Sequence, residues 1–241
     1  MAWKTDLDTD KMLGQGIYAP CEAGAFIGVK SQQIVRWVHG TKGTQPVVTP
    51  QFKGHREVIS FLDMVQAMAI RDMRGGPYRI PLQRIRKALA WVRNHHPEIE
   101  YPFAIWHRTF IITHTKEIAI LLEQDDPEHL LQISGDHAGQ YVHATILDEY
   151  LDTLQFGSNG QASRYIPLQA GGYKVVMDPE IRCGQPIVEP TGYLVEALAD
   201  AAVSEGGVAN AADWYGIDEK AVSLACDYHR RVWGSMYAQA S

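Results

Sequence analysis

Gln32, Gln33 and Arg36 stand within one short segment, Ser31-Gln32-Gln33-Ile34-Val35-Arg36-Trp37-Val38-His39. Their side chains are the types that donate and accept bidentately to adenine and guanine edges in the major groove. Lys30, Lys42 and Lys53 lie nearby in sequence and have the charge to meet a phosphate backbone. No other segment offers chemistry of comparable definition. There is no Gly-x-x-x-x-Gly-Lys, no Gly-x-Ser-x-Gly, no Rossmann glycine run, no Cys-x-x-Cys and no His-x-x-x-His beside a Glu. His107, His114, His137 and His143 are scattered. Asp148, Glu149 and Asp152 fall on one acidic helical face, whereas a nuclease needs carboxylates converging on Mg²⁺ from separate elements. The expectation is a binding protein, with no catalytic residue, no metal and no cofactor.

The elements around Gln32 suit a nucleic-acid reader. Pro20 suits the start of a helix and Gly28 its end. Ser31 is expected to cap a second helix, with Ile34, Val35 and Val38 inward and Gln32, Gln33, Arg36 and Trp37 outward or at the edges. Short helix, glycine turn and a second helix with exposed Gln and Arg is helix-turn-helix grammar. Residues 40–50 suit a β-wing, with Lys42 and Lys53 toward phosphates. Residues 58–73 form a strongly apolar helix, Gly75-Gly76-Pro77 breaks the chain, and residues 81–93 form another helix. The alternative is a plain helical subdomain with Gln32 and Arg36 as ordinary surface residues.

Charge favours the first reading. The chain has 241 residues and a net charge of −6. Residues 1–98 hold 14 Lys+Arg against 8 Asp+Glu, and residues 99–241 hold 8 against 20. A cationic first part attracts a polyanion, and an acidic remainder suits a basic protein partner. Three cysteines are too few and too scattered for a disulfide frame, no run approaches a membrane span, and Asp6, Asp8 and Asp10 replace the basic start of a secretory signal. These features place the expected protein in the cytoplasm.

The composition, 46% hydrophobic with 10% aromatics, is that of a folded protein. The expected fold class is α+β, mostly α, in three parts. Residues 1–98 form the winged helix-turn-helix and 99–172 a small α+β middle. Residues 173–241 form a trihelical module. In the middle part, 103–112 reads as a strand, 118–122 as a returning strand or short helix, 130–133 as a strand and 145–154 as an amphipathic segment. In the last part, Val175-Val176-Met177-Asp178-Pro179 reads as strand and turn, leading to Gly184-Gln185-Pro186-Ile187-Val188. Helices follow at 194–203, at 208–215 closed by Gly216, and from an Asp218 cap to about Arg231, with Ala221, Val222, Leu224, Ala225 and Tyr228 inward.

Two family resemblances sit on these motifs. Asp-Pro-x-x-x-x-Gly-x-Pro-Ile-Val followed by a trihelical glycine-rich turn, over about residues 174–232, resembles domain of unknown function 433. That family is encoded beside toxin nucleases of PIN-like fold. Many of its members read Gly-Thr-Arg after Pro-Ile-Val, where this chain has Glu189-Pro190-Thr191-Gly192-Tyr193. Residues 15–95 resemble the MerR-class winged helix-turn-helix found at the head of VapB-like antitoxins. They lack the long coiled coil and cysteine effector site of MerR regulators. Together the resemblances imply an antitoxin and autorepressor that binds operator DNA and neutralises a PIN-like ribonuclease toxin. A homodimer is expected because a single helix-turn-helix reads few base pairs and operators usually supply two half-sites. A different class of protein, a stand-alone repressor with a small-molecule or protein effector, is the rival.

The residues expected to touch DNA are Lys30, Ser31, Gln32, Gln33, Arg36, Trp37, Lys42 and Lys53. Arg182, Glu189 and Tyr193 are expected to meet the toxin. Arg182 either enters the toxin's carboxylate cleft or only holds its own turn through Asp178 or Glu180. Leu224, Tyr228 and Trp233 are expected to form the dimer contact, because the last helix has more apolar surface than a three-helix module buries.

Overall fold

The computed structural model describes residues 12–75, 79–105, 110–112, 118–121, 130–132, 141–142 and 151–239. Seven α-helices and two antiparallel sheets make up these residues, so the fold is α+β, as expected. The segments containing His107, His114, His137, His143, Asp148 and Glu149 lie outside the described residues, as does most of the amphipathic run at 145–154.

Four helices form the first layer: α1 (Pro20–Ile27), α2 (Ser31–Val38), α3 (Phe61–Gly75) and α4 (Leu82–His95). Pro20 occupies the first turn of α1, and Gly28 ends it in the left-handed conformation at φ 69°. Helix α3 is buried almost all round, with Phe61, Met64, Val65, Ala67, Met68 and Ile70 in the core, so it is the central rod of the layer. It starts three residues later than the apolar run suggests, because Ile59 is taken by a two-way backbone pairing with Tyr18 (3.0 and 2.9 Å) and Ser60 becomes the cap, accepting from the Asp63 N–H at 3.0 Å.

Strands β1 (Phe110–Ile112), β2 (Ile118–Leu121), β3 (Leu130–Gln132) and β4 (Tyr141–Val142) make an antiparallel meander. The first part of the expected 103–112 strand is instead a 3₁₀ turn, Pro102–Ala104, because Phe103 and Ala104 pack into the core and Pro102 has no N–H for a ladder. A second meander holds β5 (Leu154–Phe156), β6 (Ala162–Ala170), β7 (Tyr173–Met177), β8 (Ile187–Glu189) and β9 (Tyr193–Leu194). In it, the β6–β7 register slips between the pairs Tyr165–Met177 and Leu168–Val175, where Pro167 sits, a residue that cannot donate to a ladder.

Helices α5 (Val195–Ser204), α6 (Val208–Tyr215) and α7 (Glu219–Gln239) follow the second sheet. Gly216 closes α6 at φ 64°, and the Asp218 carboxylate caps α7 by accepting from the Lys220 N–H at 2.8 Å. Helix α7 runs well past Arg231, because Val232 and Trp233 continue its inward stripe.

One hydrophobic core runs from Tyr18 through α3 to Val175, Tyr228 and Val232. The first layer and the last module are therefore joined directly. The Ile17 N–H donates to the Cys183 carbonyl at 3.0 Å, the Tyr18 hydroxyl donates to the Gly184 carbonyl at 2.9 Å, and Phe26 meets Trp233 edge-on at 6.1 Å. Burial raises the Tyr18 hydroxyl far above its ordinary range, so it is held as a neutral donor. Gly184 lies at φ 84°, and a Cβ there would collide with that hydroxyl, which explains the glycine in the Gly-x-Pro-Ile-Val motif.

Candidate nucleic-acid and partner interfaces

Helices α1 and α2 are joined by Gly28, Val29 and Lys30 alone. Close approach requires Gly24 in α1, where a Cβ would come within 2.6 Å of the Val29 carbonyl oxygen. The cap of α2 is Lys30 rather than Ser31. The Lys30 N–H donates to the Gln33 side-chain oxygen at 3.3 Å, so Gln33 spends its acceptor on the helix start and Ser31 is the first helical residue. Gln32, Gln33 and Arg36 are exposed along one helical stripe, and Lys30, Ser31, Lys42 and Lys53 are exposed as well.

Trp37 is different. It is 4% exposed and sits in the core with Ile34 and Val38, while Val35 is only half-buried. The apolar stripe is thus 34, 37, 38 rather than 34, 35, 38, and Trp37 is not available to DNA. Its carbonyl accepts from the N–H groups of Val47 (2.7 Å) and Val48 (3.3 Å), anchoring the following loop.

That loop is not a stranded wing. Thr41 and Thr44 make one isolated bridge, and the rest is turn and bend held by arginines. Arg56 donates to the Gly40 carbonyl at 2.6 Å, Arg86 to Pro46 at 2.9 Å and Arg93 to Val47 at 3.4 Å. Arg71 is likewise taken, by Asp72 and by the Ile27 carbonyl at 2.6 Å. Four arginines of residues 1–98 therefore build the fold, while Lys30, Arg36, Lys42 and Lys53 face solvent, as do Arg74, Arg79 and Lys87.

In the last module the loop from Asp178 to Tyr193 is held by Arg164, reaching from β6. Its Nε lies 3.1 Å from Asp178, and its Nη2 pairs with Glu189. Asp178 also accepts from the Glu180 N–H at 3.0 Å, closing the turn. Arg182 does not hold that turn. Its side chain is exposed and, among the described residues, bonds neither Asp178 nor Glu180, while its backbone lies at φ 50°, followed by Cys183 at φ 55°. Glu189 is engaged by Arg164, so of the three expected toxin-contact residues Arg182 and Tyr193 are the exposed ones. Tyr193 is 38% exposed, its ring 4.7 Å from that of Tyr215.

The expected dimer contact on α7 is corrected. Leu224 and Tyr228 lie in the core of one chain, and the Tyr228 hydroxyl meets the Met177 sulfur at 3.9 Å. Trp233 is half-buried against Phe26. The surplus apolar surface of α7 is covered by β7, within residues 173–241, and by α1, which lies outside them.

Sequence reasoning overlooked two exposed side chains, Val203 at the end of α5 (83% exposed) and Trp214 on α6 (74% exposed). The signal was present in the periodicity of α6: Ala211 and Ala212 are its buried pair, which puts Asn210, Asp213 and Trp214 outside. Between Phe61, Gln15 and the strand residues Ser163 and Arg164 lies a polar cleft of about 370 Å³, also lined by Asp178 and Glu180. Among the described residues no three His, Cys, Asp or Glu groups converge as a metal site, and no helix is long and apolar enough to cross a membrane.

No family model matches the chain. It is similar to a Mycobacterium tuberculosis protein named "Putative antitoxin VapB45", 24% identical over 228 residues that span 88% of this chain and 92% of the relative. It is also similar in fold to the crystal structure of Rv2018 from Mycobacterium tuberculosis, with a TM-score of 0.60 and 22% identity over 86% of this chain and 96% of that one.

Proposed function

We propose that this chain is an antitoxin that binds operator DNA as an autorepressor and neutralises a PIN-like ribonuclease toxin by direct contact. The observation that carries the reading is the nearly full-length likeness to a protein named as an antitoxin. The geometry supports its DNA-binding half. Gln32, Gln33 and Arg36 share an exposed stripe of α2, with Lys30, Ser31, Lys42 and Lys53 exposed to meet phosphates. In this reading α1 and α2 act as a helix-turn-helix whose wing is a pinned turn rather than a strand pair, and Trp37 is its core anchor. A single α2 reads few base pairs, so the DNA-bound form is a homodimer on two half-sites, joined through a surface other than Leu224 and Tyr228. Arg182 and Tyr193 face the toxin.

The test is to purify the chain and measure its binding to the DNA upstream of its own gene against unrelated DNA of equal length. Saturable binding at least about a thousandfold tighter than to the unrelated DNA is expected. Equal affinity for both rejects the repressor part of the reading.

A second reading, a stand-alone repressor with a small-molecule effector, is favoured by the polar cleft beside Arg164. A neighbouring toxin gene whose product is captured by this chain separates the two.

A further inference from the structure

We infer that the exposed face of α5 and α6, centred on Trp214 and Val203, is where a basic protein partner docks. This rests on the antitoxin reading, which makes that partner the toxin. From Glu189 to Glu219 the sequence has seven carboxylates and no lysine, arginine or histidine. Glu196 and Asp200 are exposed on α5, Glu205 in the turn after it and Asp213 on α6. Within this stretch the large apolar side chains at the surface are Val203, Trp214 and Tyr193. The Asn210 side chain donates to the Glu205 carbonyl at 2.7 Å, which ties the exposed side of α6 to the end of α5, and Trp214 lies one turn beyond Asn210. Tyr193 reaches the same helix through Tyr215. An indole left in water within an acidic field has the make-up of an interface anchor with a charged rim.

Charge decides the occupant. A second copy presenting the same face would set carboxylates against carboxylates. Nucleic acid would be repelled. A partner with a cationic rim around an apolar slot complements the face, and a nuclease that must hold polyanionic RNA has such a cationic surface. Tyr193 ends the loop that contains Arg182 and packs on α6 through Tyr215, so the face adjoins the end of that loop.

The experiment co-expresses the full chain with the product of the adjacent reading frame as the probe, comparing Trp214→Ala/Val203→Ser with the parent. Both side chains are largely in water, and an unchanged melting temperature checks the fold. The expected result is capture by the parent and affinity at least about tenfold weaker in the variant. A Glu205→Lys/Asp213→Lys variant is expected to associate more slowly, with a flatter salt dependence. Undiminished capture by the Trp214 variant overturns the docking face and leaves the antitoxin reading standing. No capture by the parent overturns both. Conversion of a dimeric parent to a monomer by Trp214→Ala, seen by light scattering, assigns the face to a second copy and overturns the inference.

Discussion

Two helical surfaces of this molecule are opposites. Helix α2 buries Ile34, Trp37 and Val38, half-buries Val35 and exposes Ser31, Gln32, Gln33 and Arg36. Helices α5 and α6 bury Val195, Leu198 and several alanines and leave Trp214 and Val203 outside among carboxylates. The first surface offers directional hydrogen bonds and positive charge, which suit a polar polyanion. The second offers an indole and negative charge, which suit a protein. An aromatic residue near a candidate site is thus no guide by itself. At position 37 it is core and at position 214 it is surface, and only the packing of the neighbouring elements separates them.

The sharpest way to break this comparison is to exchange the expected costs of the two tryptophans. Trp37→Ala should lower the unfolding free energy by about 3–5 kcal/mol in chemical denaturation, because it opens a cavity in the first layer. Trp214→Ala should change it by less than about 0.5 kcal/mol. Equal costs would mean that one of the two burial assignments is wrong.

Gly184→Ala comes next. The new Cβ meets the Tyr18 hydroxyl and the backbone stays at φ 84°, so a loss of about 2–4 kcal/mol is expected in thermal or chemical unfolding. Pairing it with Tyr18→Phe sharpens the result. That variant removes the hydroxyl but leaves the Gly184 carbonyl without its donor, costing about 1–2 kcal/mol. The double variant should be less destabilised than the sum of the two, and strict additivity would mean that the first layer and the last module are not joined at this point.

The pH dependence of the first layer provides a third. Burial raises the Asp63 carboxyl to about 6, against the partly compensating bonds from the Gln51 and Ser60 backbone N–H groups and the Ser60 side chain. A carboxyl raised in the folded state binds its proton more tightly folded than unfolded. Its stabilising contribution is complete below about pH 4 and is lost as pH rises through about 6. Compared with Asp63→Asn, the parent should therefore lose about 2 kcal/mol between pH 4 and pH 7. An identical pH profile in both proteins would show that Asp63 does not titrate in that window.

Smaller effects separate the solvent-facing cations from the structural ones. Arg36→Ala should cost about 1–3 kcal/mol of operator affinity and relax discrimination at one base pair, and Lys42→Ala should reduce the salt slope by about one. Neither should lower stability by more than about 0.5 kcal/mol. Arg86→Ala should do the reverse, loosening the 40–48 loop by removing the bond to Pro46. Operator binding unaltered by Arg36→Ala would rule out α2 as the reading helix.

How far the sequence reached follows from range. The helix at Val208–Tyr215, its Gly216 stop and the Asp218 cap are local features, and periodicity with cap chemistry located them. The α1 start at Pro20 and stop at Gly28 are local in the same way. The side of α2 was misread by one position, although a stripe at 34, 37 and 38 has the same helical spacing as one at 34, 35 and 38 and includes the larger apolar group. The missing wing strands could not be foreseen, because the loop is shaped by Arg86 and Arg93, 40 and 46 positions away from the carbonyls they hold. The contact between Tyr18 and Gly184 spans 166 positions and lies beyond any periodicity. The same long-range packing covers Leu224 and Tyr228, which a reading confined to α7 leaves exposed.

The most direct measurement of the central claim is the ribonuclease activity of the product encoded beside this gene, titrated with the purified full chain. The account predicts that RNA cleavage falls to background near stoichiometric addition, that the Trp214→Ala/Val203→Ser variant needs at least about tenfold more protein, and that Arg36→Ala inhibits as well as the parent. Cleavage that persists undiminished at a large excess of the parent chain would contradict it.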